Sequence, residues 1–138
     1  MPSATDASTE RTFTMIGVGS AVMNLIAFTA VGVIAIENVA YGGIVGILGG
    51  VGSYLFIPWF LSLSAAQEGA DGDLPLADAA TSSPYHTSLG TLGLGLEAGA
   101  IVMLAVGFSI GPDFLAGVAS ALVVALATYF VGSVVLDR

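Results

Sequence analysis

Four long apolar runs, separated by polar breaks, set the pattern of the chain. They cover Phe13 to Ile36, Val39 to Leu63, Ser88 to Ile110 and Phe114 to Leu136. Each supplies the roughly 20 predominantly apolar residues that a helix needs to cross a bilayer. The runs are too long for membrane strands and lack the alternation of a barrel wall. The pattern therefore predicts an all-α protein, an integral membrane four-helix bundle built from two antiparallel transmembrane hairpins.

The breaks have the chemistry of turns. Glu37-Asn38 closes the first hairpin, and Gly111-Pro112-Asp113 closes the second. Asp113 stands where its carboxylate can N-cap the fourth helix. Pro58 falls near the end of the second run and predicts a kink or a stop there. Trp59 and Tyr85 fall at run ends, where amphipathic rings sit half wetted at the membrane interface. Residues 1–12 are small, polar and acidic, and predict a disordered tail ahead of a membrane domain over 13–138. That stretch lacks the basic segment of a signal peptide, and the apolar run behind it is too long for one, so the first span is expected to stay as an anchor. Segment 64–87 carries Glu68, Asp71, Asp73 and Asp78 among Ala, Gly and Ser, and predicts a flexible acidic loop. The alternative is a segment that docks a partner. Its acids do not follow the ligand spacing of an EF-hand.

Composition narrows the function classes. Of the 138 residues, 56% are hydrophobic and only 9% charged, against roughly 25% charged in a soluble domain. Mean hydropathy is +0.97. Such a chain cannot clothe itself in a polar surface. It has no Cys, which excludes disulfides, thiolate metal sites and Cys nucleophiles. His86 is the single His, which excludes a multi-His metal cage and paired haem ligation. No metal or cofactor ligand set can be assembled. His86 has no neighbouring acid for a Ser-His-Asp set, and no span holds two Asp, so the chain is expected not to be an enzyme.

Net charge is −8, with no Lys and only Arg11 and Arg138 as cations. A nucleic-acid partner, which needs a basic patch, is excluded. The acidic, lysine-free composition resembles that of proteins from extreme halophiles, in which salt screens self-repulsion. Both arginines fall at span ends on one side. The positive-inside rule then places both termini and the middle loop in the cytoplasm of a multi-pass cell-membrane protein.

Glycine is unusually frequent, with 19 residues, sixteen of them inside the runs. Gly42, Gly46 and Gly50 follow at intervals of four, and Gly49 and Ser53 continue that spacing on a neighbouring face. Gly95 and Gly99 pair in the third run. Gly117 and Ala121 open a stripe of small residues in the fourth. Lipid is as apolar as leucine, so close backbone approach between small residues, rather than hydrophobicity, draws membrane helices together. These stripes either hold the four helices to each other or present a face to another subunit.

One residue breaks the apolar pattern. Glu97 is the tenth residue of its 23-residue run and so lies about 3 Å from the midplane. An acid there costs about 3 kcal/mol on insertion scales and should face the bundle interior. No Arg, Lys or His lies within any run to neutralise it. Glu97 is then either protonated or matched by a cation from outside the chain. Asn24 lies at nearly the same depth in the first run, displaced by about 3 Å along the axis. A hydrogen bond between Asn24 and Glu97, direct or through water, is expected. His86 precedes Glu97 by eleven residues, about 16 Å of helix rise, too far for direct proton transfer.

A lone membrane glutamate among four spans is similar to the small multidrug-resistance exporters. Their glutamate lies in the first span and this one in the third, so no residue role carries across. The expected function is a non-catalytic accessory or scaffold subunit of a larger membrane complex. The alternative is a small oligomeric transporter or channel using Glu97 as a proton or cation site. The expected partners are the lipid bilayer and other membrane subunits or further copies of the chain.

Overall fold

The computed structural model describes residues 4–136. Every regular element among them is helical: α1 (Ala4–Ala35), α2 (Val39–Gly69), α3 (Leu76–Ser82), α4 (Thr87–Ile110) and α5 (Phe114–Leu136). The four long helices are apolar enough to cross a membrane, as the runs predict. They form a four-helix bundle of two hairpins. Helix α2 packs on α1 and on α4, and α4 packs on α5. The two inner helices, α2 and α4, therefore join the hairpins, and the outer helices leave most of their apolar side chains uncovered.

Both turns use local chemistry read from the sequence. Asn38 N-caps α2, its Oδ1 accepting from the Tyr41 amide at 2.8 Å. Asp113 Oδ1 accepts from the Ala116 amide at 3.0 Å. Gly111 adopts φ 86°, a left-handed conformation that glycine enters without steric cost.

Three expectations need correction. The first is the disordered tail over residues 1–12. Helix α1 already runs from Ala4, and residues 1–3 lie outside the described part. This helical extension is held from the side, because the Tyr85 hydroxyl donates to the Glu10 carbonyl at 2.9 Å and lies 3.0 Å from Thr14 Oγ1. The second concerns Pro58: of the kink or stop expected there, the stop does not occur, and α2 continues to Gly69. Pro58 is buried against Gly17 of α1, where a β-carbon on Gly17 would come within 2.9 Å of Pro58 Cδ. The helix thus continues through a proline that lacks a backbone N–H to donate.

The third is the flexible loop over 64–87. The segment is folded. Asp71 and Gly72, with φ 55° and 81°, turn the chain after α2. Helix α3 then sets Ala79 and Ala80 against Trp59 and Leu63 in a small core at this end of the bundle. The Gln67 amide donates to the Leu74 carbonyl at 2.9 Å, and the Ser62 and Ser83 hydroxyls lie 2.6 Å apart. Acids dominate the composition of the segment, yet Glu68, Asp71, Asp73 and Asp78 all point outward. The small apolar residues between them carry the packing.

A second core lies at the other end, near the two tight turns. Tyr41 is fully buried there with Val45, Ala100 and Met103. Its hydroxyl donates to the Met103 carbonyl at 2.5 Å, and its ring meets Phe114 edge-on at 5.5 Å. The start of α1, segment α3 and the end of α5 thus share one end of the bundle, and both hairpin turns share the other.

Candidate functional site

Between the two apolar cores lies a polar cluster contributed by three helices. Asn24 comes from α1, Ser53 from α2 and Glu97 from α4. The Asn24 side-chain amide donates to Glu97 Oε1 at 2.9 Å and also donates to Ser53 Oγ. Ser53 Oγ in turn donates to Glu97 Oε1 at 3.1 Å. The helices place these groups by simple geometry. Asn24 and Glu97 start at similar depths on parallel helices, and Ser53 stands between them on the antiparallel inner helix.

Glycine makes the close approach possible. A β-carbon on Gly52 would lie 2.8 Å from the Glu97 amide nitrogen and 2.8 Å from the Gly93 carbonyl oxygen. The backbone of α4 at Glu97 therefore rests directly on α2, one residue before Ser53. Ser53 is fully buried, while Asn24 and Glu97 are half-buried. Both donors converge on Oε1 of the carboxyl. This arrangement ties three helices together at one carboxyl oxygen and fixes their mutual register.

The small residues singled out in the sequence all fall in seams between helices of the same chain. Gly42, Gly46 and Gly50 meet α1: a β-carbon on Gly46 would approach the Leu25 carbonyl to 2.7 Å, and one on Gly50 the Ala21 carbonyl to 3.1 Å. Gly95 and Gly99 meet α5, at 2.6 Å from the Ala125 carbonyl and 2.8 Å from the Ala121 carbonyl. Gly117 makes room for Tyr41, whose hydroxyl would lie 2.5 Å from an added β-carbon. Gly43 and Gly19 are the exceptions in the spans, with open space beside them.

His86 stands apart from the cluster. It is exposed at the start of α4 and lines a pocket of ≈ 200 Å³ with Thr14, Tyr54 and Tyr85. Two important residues were not singled out as site or anchor from the sequence. Ser53 was read only as a small residue in a stripe, although its hydroxyl bridges the cluster. Tyr41 was not singled out at all; its place two residues after a helix start and opposite the Gly117 stripe was the available signal.

The chain matches no protein-family model, no curated protein and no solved structure. It is a small multi-pass membrane protein whose one intramembrane carboxyl is clasped by an amide and a hydroxyl from two other helices.

Proposed function

We propose that the protein is a non-catalytic accessory or scaffold subunit of a larger assembly in the cell membrane, with both termini and α3 on the cytoplasmic side. The observation that carries this reading is the closed Asn24–Ser53–Glu97 cluster. Its hydrogen bonds are spent on binding helices to one another, as a packing device requires. Two further features support it. The small-residue seams are filled within the chain, so they hold its own helices together. The outer helices α1 and α5 present broad apolar faces to lipid or to neighbouring subunits.

A second reading rests on the half-exposure of Glu97. An intramembrane acid that is not sealed can exchange a proton or a cation, as in an oligomeric transporter or channel. Native mass spectrometry of the tagged protein, extracted in mild detergent at high salt from its own host, separates the two. Defined stoichiometric partner chains support the subunit. A lone monomer or homodimer, with liposome flux that disappears in Glu97→Gln, overturns it in favour of the transporter.

A further inference from the structure

The Asn24–Ser53–Glu97 cluster has spent all of its donors and only part of its acceptors. The Asn24 amide gives one N–H to Glu97 Oε1 and the other to Ser53 Oγ. The Ser53 hydroxyl gives its single proton to the same Oε1. Among the described residues, Glu97 Oε2 and Asn24 Oδ1 receive no hydrogen bond. Neither oxygen is sealed inside the protein. Among those residues the one fully buried side-chain nitrogen or oxygen without a hydrogen bond is Trp59 Nε1, so both free oxygens keep accessible surface.

The packing of the helices shows where that surface lies. Helices α1 and α4 both pack on α2 and scarcely touch each other. The Asn24–Glu97 bond therefore spans the seam between them, and the fully buried Ser53 forms the floor. One turn on from each residue, Ala27 and Ile101 are exposed. The seam thus opens on the outer side of the bundle, with two unspent acceptors near the midplane. Hydrocarbon offers them no donor, and an acid at that depth normally pairs with another group.

We propose that this seam receives a transmembrane helix of another chain, which presents an arginine or lysine near the midplane to Glu97 Oε2 and Asn24 Oδ1. The inference rests on the subunit reading above and names the chemistry of the partner. Other occupants fit less well. A second copy brings the same two acceptors and no Arg, Lys or His within its apolar runs. A free metal ion would find two open oxygens, against the about six to eight that calcium takes. Nor does any group of three His, Cys, Asp or Glu come together among the described residues. A lipid ammonium stays at the interface, about 15 Å from the midplane. A guanidinium suits the site because its forked donors can serve two oxygens at once while its charge meets the carboxylate.

The probe is a synthetic Leu–Ala helix of membrane-spanning length, free of tryptophan, with one central arginine and a dansyl acceptor. The control peptide carries leucine at the central position. The purified full-length protein is placed in phosphatidylcholine vesicles, and energy transfer is read from Trp59, the only tryptophan of the chain. Transfer to the arginine peptide is expected to saturate, with an apparent affinity several-fold above that of the leucine peptide. Glu97→Gln keeps the size of the side chain and an oxygen for both donors, and should bring the arginine peptide down to the control. Equal transfer to the two peptides in the wild-type protein would overturn the inference without recourse to any variant. So would an arginine preference that survives in Glu97→Gln. Failure of the subunit reading looks different. A lone monomer or homodimer in native mass spectrometry removes both readings, whereas partner chains retained in full by Glu97→Gln keep the subunit and overturn the inference alone.

Discussion

Gly52 of α2 lies so close to Gly93 of α4 that a β-carbon on either would come within 2.7–2.8 Å of the other's carbonyl oxygen. This contact is the joint between the two hairpins. It sits one residue from Ser53 and brings α4 within reach of the polar cluster. A side chain at either position must push the inner helices apart.

Gly93→Leu is therefore expected to lower stability by about 1–3 kcal/mol, the usual cost of overpacking a tight site. Thermal unfolding in detergent, with Gly43→Ala as the control, checks this. Gly43 has open space beside it and should tolerate the methyl within about 0.5 kcal/mol. Equal losses in both variants would deny the joint its role.

The hydrogen bonds of the polar cluster should be coupled. Asn24→Leu alone leaves Glu97 Oε1 with Ser53 as its remaining donor. Polar pairs in membranes contribute about 0.6–2 kcal/mol each. A double-mutant cycle with Asn24→Leu and Glu97→Leu should give a coupling energy in that range. Strict additivity of the two losses would show that the bond contributes nothing to stability.

Tyr41→Phe isolates one hydroxyl. The ring keeps its place against Phe114 and Gly117, and only the bond to the Met103 carbonyl is lost. A loss of about 1 kcal/mol is expected. Tyr41→Ala removes the whole ring from a fully buried position and should cost about 3–5 kcal/mol. Detergent or urea unfolding distinguishes the two, and comparable losses would contradict the ring's role as the anchor of that core.

Tyr85 clasps the start of α1 through Glu10 and Thr14. Arg11 is the only internal tryptic site, since the other cation is the terminal Arg138. Tyr85→Phe should raise the rate of tryptic cleavage after Arg11 roughly two- to tenfold, as expected for loss of about 0.5–1.5 kcal/mol of local holding. An unchanged rate would mean that α1 does not open at that point.

The spans were legible because each is a continuous apolar run, and length alone separates a membrane helix from a strand. The meeting of Asn24 and Glu97 was legible for a different reason. A fixed rise of 1.5 Å per residue converts sequence position into depth, and few polar residues compete inside a membrane. Ser53 escaped because serine serves equally as a small packing residue and as a hydroxyl, and composition does not tell the two apart. Helix α3 escaped because its packing face is made of Ala79 and Ala80, which no hydropathy window distinguishes from a loop. Of the two outcomes expected at Pro58, the stop does not occur, because α2 continues past a proline whose ring is received by Gly17.

The order of the helices in the bundle bears on how the chain is made. Synthesis proceeds from the N-terminus, and α1 packs on α2, its immediate successor. The first hairpin can close its glycine seam while α4 is still on the ribosome. The first hairpin holds both Asn24 and Ser53, so their hydrogen bond needs no later helix. Glu97, the most costly residue to insert, arrives last, into a bilayer where both of its donors are already waiting.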